Sequence, residues 1–255
     1  QAGEDNRNVA RIALLLAGLP VSVPGETVNR LCASGMSAVI HAHRAIQSGD
    51  GNLIVSGGVE HMTRSPWVTS KVSKPFGRDA KMYDSSFGWR FINPRLDEIY
   101  GTESMGKTAE NVAEKYYINR QDQDVFSAWS QKKATNAQDN GRLQKEIIAV
   151  EIPQRKADPI LFNKDEFIKS HTSIEGLAKL KPAFKKDGTV TAGNSSGLND
   201  GAVAMLIASE DGMNVHGLQP LARIVSSAVV GLEPRIMGIG PVQASKKVLE
   251  KTGLK

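Results

Sequence analysis

Residues 26–63, ETVNRLCASGMSAVIHAHRAIQSGDGNLIVSGGVEHMT, constrain the fold more than any other part of the chain. Thr27, Val28 and Leu31 form a β-prone run that leads into Cys32, the only cysteine. A helical pattern follows, with Met36, Val39, Ile40 and Ile46 in register as far as Gly49. Leu53-Ile54-Val55 is then a short strand that Gly57-Gly58 closes, so the unit reads strand, helix, strand, with a tight turn at the cysteine. Backbone N–H groups left unpaired at a helix start favour a negative charge. They therefore favour a thiolate and offer donors to an oxyanion beside the sulfur. The alternative is a buried cysteine acting as a small hydrophobe. Against it, Ala33, Ser34 and Gly35 put no bulky side chain beside the sulfur, and Gly and Ser are poor first-turn residues unless something must come close.

A chain of 255 residues is long enough for one large domain or two with a full core. With 40% hydrophobic and 23% charged residues, and no apolar run near the ~20 residues of a membrane helix, it reads as a globular protein that does not enter a membrane. A single cysteine excludes an internal disulfide framework and a multi-thiolate metal site, and it suits a reducing, cytoplasmic setting. The net charge of +5 is scattered rather than blocked, and aromatics make up only 5%. That favours a phosphate-bearing small molecule over nucleic acid.

Residues 8–18 read as a helix ending at Gly18. Residues 65–103 read as irregular, broken by Pro66, Pro75, Gly77, Gly88 and Pro94. Two amphipathic helices follow over 104–117 and 120–140, the second capped by Asn119. Residues 146–152 alternate like a strand, and 164–180 hold a short helical piece. Further strands are expected over 189–192, 202–208 and 221–231, and a helix over 242–252. The small, glycine-rich loop 193–201 is either a place where backbone meets ligand or a surface turn.

A cysteine nucleophile needs a base, and the histidines supply no evident one. His41 and His43 lie about 14 to 16 Å along the helix axis from Cys32. At i and i+2 they face different sides, so no zinc pair is expected. His61 flanks the site only if the topology turns the right way, and His171 and His216 read as surface loop residues.

Five stretches, VNRLCASGMSAV, VSGGVEHMT, YGTESMGKTAENVAEKY, KLKPAFKKDGTVTAGNSSGLNDGAVAMLIAS and PRIMGIGP, resemble the thiolases, the acetyl-CoA acyltransferases, in the same order along the whole chain. GWRFINP, residues 88–94, looks like the branch that cleaves β-ketoadipyl-CoA in aromatic degradation. The resemblance implies an α/β fold of layered αβαβα type. Its divisions would be an N-terminal core with the nucleophile (1–66), an inserted helix-rich domain that grips coenzyme A (67–188), a return to the core (189–219) and the start of a C-terminal half (220–255). It implies that Cys32 is acylated and that Ser196 contacts the pantetheine arm. Met105, Phe184, Leu198 and Met237 would line the acyl and pantetheine tunnel, and Lys169 would stand near the adenosine end. Ser104 occupies a place where biosynthetic relatives often show histidine, which tilts against an acetoacetyl-CoA specialist.

By the same resemblance, acyl-CoA and CoA are substrates and partners, no cofactor or metal is used, and the chains assemble as homodimers or homotetramers. Thiolases also carry an Asn-Glu-Ala-Phe motif, a Gly-His-Pro histidine that activates the nucleophile, and a second cysteine. None is in these 255 residues, so the resemblance places them after Lys255, and the first strands before Gln1. The chain alone is then expected to be nearly inactive, since a general base typically contributes about 10²- to 10⁴-fold. A reading from another class, a non-catalytic CoA-binding or dimerising module, is separated from the enzyme by whether a Gly-His-Pro motif follows. A papain-like or hydrolase reading fails because neither signature surrounds Cys32.

Overall fold

The computed structural model describes residues 7–254; the outer limits of the expected domains, Gln1 and Lys255, lie outside the described residues. In chain order the elements are α1 (Val9–Leu16), α2 (Ser34–Ser48), β1 (Leu53–Glu60), β2 (Trp67–Thr69), β3 (Met82–Asp84), α3 (Pro94–Tyr100), α4 (Met105–Lys115) and α5 (Arg120–Asp139). Then come β4 (Val150–Ile152), β5 (Ile160–Phe162), α6 (Ile174–Ala178), β6 (Gly201–Ala208), α7 (Glu210–His216), a 3₁₀ turn at Pro234–Ile239 and α8 (Gly240–Thr252). The chain falls into two compact units. One is formed by Gln1–Phe91, Leu198–Gly231 and Gly240–Lys255, the other by Ile92–Gly197 and Leu232–Ile239. Residues 67–91, which the resemblance assigns to the insertion, thus group with the unit that carries Cys32.

In the first unit, Asn8 caps α1 by accepting from the Arg11 amide at 3.1 Å, and its own amide group donates to the Gly25 carbonyl at 2.8 Å. Helix α2 ends at Gly49 in the left-handed region, φ 82°. Strand β1 runs antiparallel to β6 with Leu53 opposite Ala208 and Glu60 opposite Gly201. The expected stop at Gly57-Gly58 is corrected: the ladder passes straight through both glycines. They are there for close approach, because a Cβ at Gly57 would fall on the Val203 carbonyl oxygen. A Cβ at Gly58 would sit 3.5 Å from the Gly35 Cα, so this glycine lets the start of α2 lie against β1. The face of the ribbon that carries Val55 (57% exposed) and Leu206 (56%) is uncovered among the described residues.

The second unit has a mixed interior. Ala113, Leu177, Val190 and Ile236 are buried beside Thr108, Glu110, Asp124 and Thr191. Asn119 caps α5 through the Asp122 amide at 2.9 Å, as its sequence position requires.

Among the described residues the strands form three two-stranded antiparallel ladders. Several expectations fail for one reason, that a strand needs a partner. Residues 27–31 and 221–231 form no ladder among the described residues, apart from an isolated bridge between Arg30 and Cys32. Residues 189–192 make only the bridge Pro182–Thr191. The irregular 65–103 stretch contains the β2–β3 hairpin and α3, elements too short to show periodicity. The strand expected over 146–152 is confined to β4, paired with the unforeseen β5, and His216 closes α7 rather than lying in a loop.

Candidate active site

The residues just before α2 are folded into a tight turn by side chains on both sides of the helix start. The Ser34 hydroxyl donates to the Leu31 carbonyl at 2.7 Å and accepts from the Arg30 amide at 2.8 Å. The Asn29 side chain accepts from the Leu31 amide at 2.9 Å, and the Arg30 guanidinium donates to the Ser37 hydroxyl at 3.0 Å. This frame holds Leu31 at φ 50°, in the left-handed region that a branched side chain enters at a cost of about 1–3 kcal/mol. The reversal turns Cys32 outward, one residue ahead of Ala33, the helix cap, which has no side-chain hydrogen bond to offer the first turn. The cysteine is exposed in this chain. The Ala33 and Ser34 amides are spent on the Arg30 and Leu31 carbonyls at 3.1 and 3.0 Å, so the donors an open helix start offers to an anion begin after Ser34.

No histidine donates to or accepts from Cys32 among the described residues. His41 lies 3.4 Å from Glu26, and His61 lies 3.7 Å from Asp200. Asp200 is a residue that sequence reasoning passed over. It stands just before β6, accepts from the Met62 and Thr63 amides at 2.6 and 3.0 Å and from the Thr63 hydroxyl, and so ties the exit of β1 to the entry of β6. The Thr63 hydroxyl, then the Thr63 amide, hold its carboxyl below the usual carboxylate range.

Of the residues the resemblance singles out, Cys32 and Leu198 belong to the first unit, and Met105, Lys169, Phe184, Ser196 and Met237 to the second. Within the second unit two groups form. Phe184 lies against Gly106, next to Met105, so closely that a Cβ there would enter its ring. The turn carrying Met237 is fastened to α4: Arg235 reaches Glu103 at 3.1 and 3.2 Å, Asn111 reaches Glu103 at 2.6 Å and the Arg235 carbonyl at 3.0 Å. Arg235 is the main reason the Glu103 carboxyl is held low. In the other group Gly197, beside Ser196, lies under the Phe167 ring, and the Lys169 ammonium is 5.6 Å from the centre of that ring. Phe167 was missed; its signal was the glycine after Ser196, which only a close neighbour would require.

Two open cavities of about 400 and 430 Å³ lie in the second unit, and none of these predicted residues lines them. No cluster able to hold a metal ion and no helix long and apolar enough to cross a membrane occur among the described residues.

Together these features define a class: a mixed helix-and-strand protein that exposes a cysteine at an uncapped helix start and carries a helical unit around a hydrogen-bonded polar interior. The family model "Thiolase, N-terminal domain" matches residues 1–211, and "Thiolase, C-terminal domain" matches residues 218–255. The beta-ketoadipyl-CoA thiolase of Acinetobacter baylyi is 52% identical over 254 residues, which are 100% of this chain and 63% of that protein. The acetyl-CoA acetyltransferase of Bacillus anthracis superposes with a TM-score of 0.87 at 41% identity, covering 99% of this chain and 62% of that one. Human mitochondrial 3-ketoacyl-CoA thiolase in complex with CoA gives 0.89 at 38% identity, covering 100% and 62%. The chain belongs to the thiolase family and has the thiolase fold, with part of the C-terminal half. It spans somewhat less than two thirds of the length of these relatives.

Proposed function

We propose that the full-length protein is a thiolase-type acyltransferase. The Cys32 thiolate attacks the 3-oxo carbon of a 3-oxoacyl-CoA. The C2–C3 bond breaks, its electron pair stays on C2, and that carbanion takes a proton to become acetyl-CoA. A CoA thiol then gives up its proton, attacks the acyl-cysteine carbonyl and returns Cys32 as thiolate. The reverse direction is a Claisen condensation through the same acyl-cysteine. The observation that carries this reading is the free, outward-turned Cys32 at an uncapped helix start, in a chain matched from end to end by thiolases.

Substrate identity rests on kinship. A relative 52% identical is named for β-ketoadipyl-CoA, which supports a 3-oxoacyl chain ending in a second carboxylate. A structural neighbour was solved with CoA, which supports CoA as acceptor. Ser196 is read as the pantetheine contact, Lys169 as the cation at the nucleotide end, and Met105, Phe184, Leu198 and Met237 as tunnel wall. The exposure of Met105, Leu198 and Ser196 is consistent with those roles. The helical unit built on Ile92–Gly197 is read as the CoA-gripping insertion, the assembly as a homodimer or homotetramer, and the setting as cytoplasmic; the chemistry calls for no cofactor.

Mass spectrometry of full-length protein mixed with β-ketoadipyl-CoA or acetyl-CoA tests the reading. An acyl mass on the Cys32 peptide, absent in Cys32→Ala, is expected. No adduct, or an adduct that survives Cys32→Ala, overturns it.

A further inference from the structure

Two carboxylates in the second unit are almost wholly out of solvent, Glu110 at 4% and Asp124 at 2% exposure, and neither has a part in the acyl-transfer chemistry. Burying a charge is costly unless every lone pair is used, and a carboxylate pair is rarely the cheapest filling for a core. Here Glu110 is spent on one segment, and Asp124 is shared between that segment and Arg120 of its own helix. Glu110, on α4, accepts from the Thr189 amide at 2.9 and 3.0 Å, the Val190 amide at 2.8 Å and the Thr189 hydroxyl at 3.1 Å. Asp124, on α5, accepts from Arg120 at 2.7 Å and from the Asn194 side-chain amide at 3.0 Å.

Asn194 passes the constraint on, donating to the Thr189 carbonyl at 3.1 Å and accepting from the Thr191 amide at 2.7 Å. The Ser195 hydroxyl donates to the Thr191 carbonyl at 2.6 Å, and Thr191 has no exposed surface at all. The chain of bonds stops there. The next hydroxyl, that of Ser196, is exposed and has no hydrogen bond among the described residues, and Gly197 then passes under Phe167. Residues 189–195 are thus fixed in one conformation by groups on two helices, and Ser196 is the first side chain released from that frame.

We propose that Glu110 and Asp124 are positioning residues that hold the 189–195 segment so that Ser196 meets its ligand preorganised. The inference rests on the reading of Ser196 as a CoA contact. An amide at position 110 keeps one acceptor oxygen and turns an NH₂ towards backbone donors, so the Thr189 and Val190 amides lose half of their acceptor. The segment then samples other conformations. If the competent one falls to about a tenth of the population, the apparent CoA affinity falls about tenfold.

The test measures CoA binding by calorimetry on the full-length protein, with the rate of Cys32 alkylation by iodoacetamide as a second readout. Glu110→Gln and Asp124→Asn are expected to raise the CoA Kd about tenfold and to leave the alkylation rate unchanged. Should Glu110→Gln not fold, Thr189→Val removes one bond to Glu110, and one from Gln123 at 2.9 Å, without touching the charge. It is expected to raise Kd about threefold. Wild-type protein that ignores CoA, or Ser196→Ala that binds it unchanged, overturns the reading of Ser196 and this inference with it. Binding weakened by Ser196→Ala but not by Glu110→Gln, Asp124→Asn or Thr189→Val overturns the positioning role alone.

Discussion

Gly106 and Gly35 occupy the same place, the second residue of a helix, one in α4 and one in α2. Replacing either by alanine brings the same intrinsic gain, up to about 1 kcal/mol, because glycine loses more backbone freedom on folding. Their surroundings differ. A Cβ at Gly35 would have nothing within 4 Å, whereas a Cβ at Gly106 would overlap three ring carbons of Phe184. The ring, 43% exposed, has room to swing away. Doing so forfeits roughly 100 Å² of buried apolar surface, about 2.5 kcal/mol at 25 cal/mol per Å². The sum is opposite in sign at the two sites. Gly35→Ala is expected to stabilise by about 0.5–1 kcal/mol and Gly106→Ala to destabilise by about 1–2 kcal/mol. Urea unfolding followed by circular dichroism measures both. In a Phe184→Ala background the clash is absent, so Gly106→Ala should there become stabilising, a coupling typical of side chains in contact. A Gly106→Ala variant that gains as much stability as Gly35→Ala with Phe184 in place would show that the ring does not rest on that glycine.

Gly57→Ala should cost about 3 kcal/mol, because its Cβ meets a backbone oxygen of β6 that has nowhere to go, while Gly58→Ala, at 3.5 Å from its nearest neighbour, should cost far less; amide exchange along β1 distinguishes them. Asp124→Ala leaves the Arg120 guanidinium without its carboxylate and should lose about 3–5 kcal/mol, read from the same urea curves. Asp200 is held below its ordinary value of 3.8, so its contribution is complete above that value and is lost as pH falls through the lower folded-state value. Protection of the Met62 and Thr63 amides should therefore persist at pH 5 and fail in acid only below the usual carboxylate range, and Asp200→Asn should remove that acid-dependent step.

Much of the local architecture could be read directly from residues close in sequence. Asn8 and Asn119 cap the helices they precede, Gly49 ends α2 in the conformation only glycine takes easily, and the small residues after Cys32 mark a helix start left open. The motif strings around Cys32 and Ser196 were enough to indicate the thiolase family. The errors share a different character. Residues 27–31 and 221–231 have strand composition but no ladder, and Gly57-Gly58, read as a terminator, lies inside one. Glu110 and Asp124 look in sequence like ordinary charges on helix surfaces.

What the sequence determined alone depends on bonds within about four residues: the course of the longer helices and their caps. What only the tertiary structure decided depends on partners that arrive from far along the chain. Glu110 is a loop clamp because Thr189 returns to it from 79 residues away, and Asp124 because Asn194 returns from 70. The physical reason is that a backbone amide or a carboxylate must be satisfied by some partner, but its own chemistry does not say which one.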